Sequence, residues 1–390
     1  MRSLAFVDDL AGVNHAVLDT HNSHQVVLLF SKKKRQPLNE KKCLILPINV
    51  PASMAVPVLY VNDHQMEVVD SAKYLGDFFN LKGDNSDLID DRVAKGLKSM
   101  ICSMALASEI TLGAFLIKTL ISLHKIMFIP VVTFNSGAWN NVTTAQMSKL
   151  RTIQLKYLKR IVRTPNSTAN CFTFLEMGIL PIEFIIHINQ LNFLHHIMNL
   201  SEDDPVKTNY FQQKLFKYEK NWFNEVELLR ERYEINCTDE QIMTLSKEKW
   251  KTVVHKKVQE YALGYLNDEN SQKSKTSHLP PYTCFKPQEY FNFLSTSDAR
   301  LFFAVRSGTV DIKTQRCYNY DDGDKICRLC ECEEETLEHV VNKCHMVNRV
   351  NQIENLYSVD KDSVVEVVSR VKEFMTTSEE MNENCCDQGQ

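Results

Sequence analysis

The chain has 390 residues, with 45 Lys+Arg against 49 Asp+Glu and a formal net charge of −4. Its 44% hydrophobic content suffices for a buried core, while 11 Gly and 11 Pro exclude collagen-like, Gly-linker and turn-dense all-β chains. A uniformly basic coat for nucleic acid is excluded as well, although a local basic face is not.

The first apolar run, Leu4-Ala5-Phe6-Val7, meets Asp8 and Asp9 after four residues. A secretory signal needs about 7–15 apolar residues, so none is expected here. The stretch from Ile110 to Ile129 carries Lys118, His124 and Lys125. That favours a buried helix over a membrane span. An intracellular location, nucleus or cytoplasm, follows as the expectation. The cysteines then read as reduced thiols or metal ligands.

Taken in chain order, residues 1–80 read as β-rich. Leu4–Val7 is a short strand, and Val26–Phe30 is the apolar end of a helix. Lys32-Lys33-Lys34-Arg35 is a basic run that suits a nuclear-import patch, a phosphate-contacting loop or a plain solvated loop. Val58–Val61 and Met66–Val69 flank Asn62-Asp63-His64, a hairpin signal, and Tyr74–Phe79 reads as one more strand.

Residues 81–200 read as helical. Ile89, Val93, Leu97, Ile101 and Met104 repeat at spacings of three and four, which predicts an apolar face. Pro130 is expected to close the next helix, and further helices are expected over Thr144–Arg163 and Ile182–Leu200. In residues 201–295, Thr238 with Gln241 is a capping box, expected to open a helix through Trp250 and Tyr261. A tail beyond Ser378 is acidic and expected to be disordered.

Residues 296–350 hold the most specific feature. Cys327-Arg-Leu-Cys330 is followed by eight residues to His339 and four more to Cys344. Two cysteines on a tight turn and a His and Cys on a short helix supply three thiolates and an imidazole. That is a closed tetrahedral set for structural Zn²⁺. A redox dithiol at Cys327 and Cys330 is the rival, but it would sit beside a βαβ pattern, and none is visible. Cys332 and His345 are spare donors. Arg328, Lys343 and Lys325 are candidates for phosphate contacts, opposed by the acidic stretch Glu331–Glu335.

On the helix Thr144–Arg163, the cations Lys149, Lys156, Arg160 and Arg163 fall at spacings of seven, four and three, on one face. Such a stripe suits phosphates along a duplex, or is simply solvated. The pair Asp8-Asp9 at the end of a strand offers hard oxygen ligands for Mg²⁺, or is an ordinary turn.

Several segments together carry a resemblance. Phe6-Val7-Asp8-Asp9 resembles the (Phe/Tyr)-x-Asp-Asp catalytic hairpin of LINE-type (non-LTR) retrotransposon reverse transcriptases. Asn39-Glu40-Lys41-Lys42 is similar to their Asn-x-x-Lys segment, and Lys73-Tyr74-Leu75-Gly76 to their primer-grip stretch. Ser136-Gly137-Ala138-Trp139, Leu175-Glu176-Met177-Gly178-Ile179-Leu180-Pro181 and Phe303-Ala304-Val305-Arg306-Ser307-Gly308 follow in the family's order, ending in the Cys-Cys-His-Cys knuckle.

The resemblance implies an RNA-directed DNA polymerase ancestry, with RNA and DNA as partners. It places Asp8 at the catalytic metals with Asp9 adjacent, Lys42 near the triphosphate, and Tyr74, Leu75 and Gly76 at the primer end. The expected fold is α+β and predominantly helical. It comprises a partial palm (1–80), a helical thumb (81–200), a helical connector (201–295), a zinc knuckle (296–350) and a final helix with an acidic tail (351–390). In the family, the fingers and another metal-binding palm aspartate lie upstream of the hairpin. The resemblance therefore implies Mg²⁺ binding only in a complete palm, and no polymerase activity from this chain alone. The alternatives are a non-catalytic nucleic-acid-binding protein, or a helical scaffold in which zinc serves folding only.

Overall fold

The computed structural model describes residues 2–6, 9–14, 16–51, 53–110, 116–216, 220–315, 325–347 and 352–387. For residues 2–6, 9, 108–110, 116 and 382–387 it describes the backbone alone. The architecture is predominantly helical with small two-stranded sheets. Two compact units are present, residues 1–94 with 139–149, and residues 95–138 with 150–390.

In the first unit, β1 (Arg2–Phe6) and β2 (Asp9–Val13) pair antiparallel, with Phe6 opposite Asp9. The strand expected to end at the paired aspartates is thus one arm of a hairpin. No further strand joins it among the described residues. Helix α1 (Val17–Lys34) is the longest element of the first eighty residues, which corrects the β-rich expectation. No Gly or Pro interrupts those 18 residues, so nothing in them breaks a helix. The basic run Lys32–Lys34 forms its last turn, and Arg35 turns left-handed at φ 55°. It is a helix end, not a loop, and its cations face the negative pole of the helix dipole.

The other sheets are short. Strand β3 (Leu44–Ile45) pairs in parallel with β6 (Glu67–Val68), and β4 (Tyr60–Val61) pairs antiparallel with β5 (His64–Gln65). The expected hairpin at Asn62-Asp63-His64 is therefore present, with Asn62 at φ 52°. Strands β7 (Ser71–Tyr74) and β8 (Asp77–Asn80) replace the single strand expected at Tyr74–Phe79. Leu75 at φ 47° and Gly76 at φ 93° make the two-residue turn between them. Hairpin turns of this hand need positive φ at both central positions. A leucine hides that signal in the sequence.

Helix α2 (Ser86–Ile110) starts at an Asp84 cap, whose carboxylate accepts from the Ser86 backbone N–H at 2.9 Å. Hydrogen bonds from Ser86 and Asn80 hold Asp84 down at about 2. The apolar face expected along Ile89, Val93, Leu97, Ile101 and Met104 is not the buried one. Leu97 and Ile101 are exposed, and the buried line runs through Ile89, Arg92, Gly96, Met100, Ser103 and Ala107. Packing chose a face one residue over. There Gly96 lies against Val132 and Phe128, and Arg92 reaches Asp77 and the Gly76 carbonyl.

In the second unit, α3 (Leu116–Leu123) passes through a π-turn at His124–Phe128 into α4 (Ile129–Val132). Pro130 was expected to close the helix; instead it sits in the first turn of α4. The wide turn shifts the hydrogen-bond register just before the proline, so its missing N–H falls where the ladder is already interrupted. Helix α5 (Thr144–Val162), whose residues up to Lys149 belong to the first unit, begins after Thr143, which exchanges hydrogen bonds with Gln146, and ends with Arg163 at φ 51°. Then come α6 (Asn170–Glu176), α7 (Ile182–Met198), α8 (Pro205–Leu215) and α9 (Trp222–Arg232).

The capping box at Thr238 and Gln241 is present, but the helix it opens, α10 (Asp239–Thr244), is short. Ser246 caps a separate helix, α11 (Lys247–Ser271), in which Trp250, Val254, Val258 and Ala262 are buried at spacings of four. One hydrophobic core joins α7, α8, α9, α10 and α11. His195 of α7 is packed in it, stacked on Trp250, with Nε2 2.9 Å from the Leu245 carbonyl, while His196 is exposed. After α12 (Tyr290–Phe293) and α13 (Thr296–Arg306), the last described element is α14 (Lys361–Asp387). The acidic tail expected to be disordered is helical over its described residues, up to Asp387.

His124 on the π-turn is buried between Phe128 and Tyr157, and neither ring nitrogen has a hydrogen-bond partner among the described residues. Burial, then Lys125, lowers it from 6.5 to about 3. Above pH 6.5 the ring is neutral in both folded and unfolded chain, and the group adds no pH dependence. Below it, only the unfolded chain takes up the proton. Stability is therefore expected to fall as pH drops from 6.5 towards 3, by up to about 1.4 kcal/mol per pH unit. His124→Phe should remove that contribution in urea melts across this range. An unchanged slope in the variant would contradict it.

Candidate metal centre and basic helix face

The knuckle is built from a backbone turn and a short helical segment. Ile326 bridges Glu334, the Cys327 N–H donates to the Glu333 carbonyl at 2.8 Å, and Glu331 turns left-handed at φ 55°. This brings Cys327 and Cys330 to one side of the loop. His339 opens a π-turn spanning His339–Lys343 and Cys344 directly follows it; its N-terminal end is held by Thr336 Oγ accepting the His339 N–H at 3.0 Å.

All four expected donors converge. Their ligand atoms lie within 4.8 Å of one another, with Cys327 Sγ 3.9 Å from Cys344 Sγ and Cys330 Sγ 3.2 Å from His339 Nε2. A tetrahedron with Zn–S near 2.3 Å has edges of roughly 3.8 Å, so the set fits one ion with small adjustments. His339 Nδ1 sits 3.2 Å from Glu333 Oε2, the partner that orients a ligating imidazole through its second nitrogen. Burial pushes the Cys344 thiol up to about 12 and raises Cys327. Cys330 lies at about 7, where burial is outweighed by hydrogen bonds from the Cys332 backbone, Cys327 and His339. A bound ion would displace the thiol protons, so metal affinity should weaken as the pH is lowered.

The shell around these ligands was not legible from their spacing. Glu335 is fully buried. Its carboxylate accepts from the backbone N–H groups of Lys313 and Arg328 at 2.9 Å and from Arg328 Nε at 3.0 Å. Arg328 also donates to the Asp311 carbonyl and lies over the Phe374 ring of α14. It is a structural clamp, which corrects its expected role in touching a phosphate backbone. Arg370 of α14 donates to the Val341 carbonyl at 2.9 Å, so the knuckle is seated on that helix.

The basic face of α5 is present. Lys149, Lys156, Arg160 and Arg163 are all exposed, while Leu150, Tyr157, Leu158 and Ile161 are buried on the other side. Lys149 pairs with Asp90 at 2.6 Å. No described carboxylate lies within ion-pair distance of Lys156, Arg160 or Arg163. Arg300 of α13, which the spacing of α5 did not suggest, donates from Nε to the Ile161 carbonyl at 3.0 Å. Its guanidinium is lowered by burial, then by the charge of Arg163. Lys159, between Lys156 and Arg160 in sequence, points inward and donates to the Asn166 and Thr168 carbonyls at 2.7 Å.

The other candidates are placed as follows. Asp8 lies outside the described residues, and Asp9 is described only as backbone in β2. Lys42 is exposed on a 3-10 turn over Glu40–Lys42. Tyr74 ends β7, and Leu75 and Gly76 form the β7–β8 turn, held by Arg92 at the Gly76 carbonyl. Two distant motifs meet in the core of the second unit. Arg306 Nε donates to Glu176 Oε1 at 2.7 Å, and the Tyr282 hydroxyl donates to the same carboxylate. Gly178, at φ +59°, is a required glycine because a Cβ there would overlap the Lys286–Pro287 backbone. Gly137 accepts from Trp222 Nε1 at 2.9 Å and lies against Asn189 and Phe193 of α7.

No protein-family model, no curated protein and no solved structure matches this chain. Among the described residues, no helix is long and apolar enough to cross a membrane. The Cys/His tetrad therefore stands on its own chemistry as a set that could hold a metal ion and is compatible with structural zinc.

Proposed function

We propose that this chain binds nucleic acid through the basic face of α5, in the manner of a thumb helix of the non-LTR reverse-transcriptase type. The observation that carries this reading is the exposed set Lys156, Arg160 and Arg163, which has no described acidic partner. Three unpaired like charges on one helix face repel one another, and a row of phosphates relieves that repulsion. The set Cys327, Cys330, His339 and Cys344 is closed by its four protein donors, so an ion there serves folding and not hydrolysis.

Binding of an RNA–DNA duplex is expected to weaken steeply with salt. Lys156→Glu with Arg160→Glu should lower affinity on the order of tenfold or more, and flatten the log–log salt slope by about 0.9 for each phosphate no longer neutralised. Fluorescence anisotropy at several salt concentrations measures both. Binding untouched by the double reversal leaves only a helical scaffold with a structural metal.

Polymerase chemistry requires two metal ions held by several carboxylates, and the resemblance assigns only Asp8 and Asp9 in this chain. Primer extension on an RNA template with Mg²⁺ is therefore expected to give no product. Incorporation that disappears in Asp8→Ala would replace binding by catalysis as the reading.

A further inference from the structure

Beside the tetrad lies a second set of donors that the first site does not use. Cys330, Cys332 and His345 each offer a ligand atom, and these three atoms also lie within 4.8 Å of one another. Cys332 and His345 are exposed, and Cys330 is shared with the tetrad. The backbone explains the overlap. The left-handed Glu331 reverses the chain directly after Cys330, and Cys332 Sγ ends 2.9 Å from the Cys330 carbonyl. At the other end, His345 follows Cys344 in sequence, so one short segment feeds both sets.

Charge favours a second cation. Three thiolates and a neutral imidazole around one divalent ion leave a net charge of minus one. Glu331, Glu333 and Glu334 add exposed negative charge on the same loop, while Arg328 is already neutralised by Glu335. A second divalent ion with one more thiolate, from Cys332, brings the cluster to zero. Thiolate and imidazole donors select soft or borderline ions such as Zn²⁺ over Mg²⁺ or Ca²⁺.

We propose that the knuckle carries a second, solvent-open metal position formed by Cys330, Cys332 and His345, with the Cys330 thiolate bridging the two ions. Three protein donors leave its fourth position to solvent, so this ion exchanges faster than the enclosed one. The proposal rests on the zinc reading of the tetrad.

The test loads the full chain with Zn²⁺ under reducing conditions, desalts it, and measures metal per chain by mass spectrometry. The wild type is expected to hold about two equivalents, and Cys332→Ser with His345→Asn about one. Because both side chains are exposed, the double variant should keep its thermal midpoint. A moderate chelator should strip one equivalent quickly from the wild type and none at that rate from the variant. A wild type that binds a single equivalent overturns the second position and leaves the tetrad standing. A double variant with the same zinc content as a two-equivalent wild type overturns the assignment to these residues. A wild type that binds none overturns the zinc reading itself.

Discussion

Removing the metal, by a strong chelator or by Cys344→Ser, is expected to unfold the knuckle while the helical core of the second unit stays folded. Cys327, His339 and Cys344 are buried, and the buried apolar residues described within the knuckle itself are few: Leu329, Leu337, Val340, Val341 and Val347. Zinc-binding free energies in small peptides run at about 10–16 kcal/mol, comparable to the roughly 5–15 kcal/mol total stability of a domain. The Glu335–Arg328 clamp and the seat on α14 spare the apo knuckle some disorder, but they leave buried thiols without the ion that would hold them together. Hydrogen exchange should show residues 325–347 and the facing part of α14 losing protection together, with α7 and α11 unchanged. The loss should also appear on acidification, because protons compete with the metal for the thiolates. Unchanged protection at residues 325–347 after verified zinc removal would contradict a structural role for the ion.

Breaking the Glu176–Arg306 pair is expected to cost about 3–5 kcal/mol from either side. Both side chains are buried, and each satisfies more than the other. Glu176 also accepts from Tyr282, and Arg306 also donates to the Tyr357 carbonyl, so the pair ties α6 and α13 to two loops. Burial, then the Glu176 carboxylate, raises Tyr282 well above the usual phenol range, which keeps its hydroxyl a donor. Glu176→Ala strands a buried guanidinium, and Arg306→Ala strands a buried carboxylate. The double change Glu176→Leu with Arg306→Met removes both charges at similar volume and should cost clearly less than the sum of the singles. Urea denaturation of the singles and the double closes the cycle. Additive losses would show that the two residues act independently.

The two sites differ in how far the sequence reveals them. The cysteine and histidine ligands fall within one short segment, and their spacing alone names the site. Glu176 and Arg306 stand in motifs that the sequence could mark but not join, because 130 residues separate them.

Features that close locally were legible: the hairpin at Asn62, the Thr238–Gln241 capping box, the extents of α5 and α7, and the outward line of Lys149, Lys156, Arg160 and Arg163. Each is set by turn chemistry, a cap or a helical period acting over a few residues. The buried face of α2 was not, since its apolar residues allow more than one face and neighbours such as Gly96 and Arg92 made the choice. Pro130 misled because a π-turn absorbed it, and Leu75 hid a turn that glycine would have announced. By itself the sequence determined the extents of α5 and α7 and which atoms can hold a metal. Only the tertiary structure decided which charges are clamps and which are free. An ion pair depends on distance in space, and Arg328 and Arg160 are the same residue type until their neighbours are known.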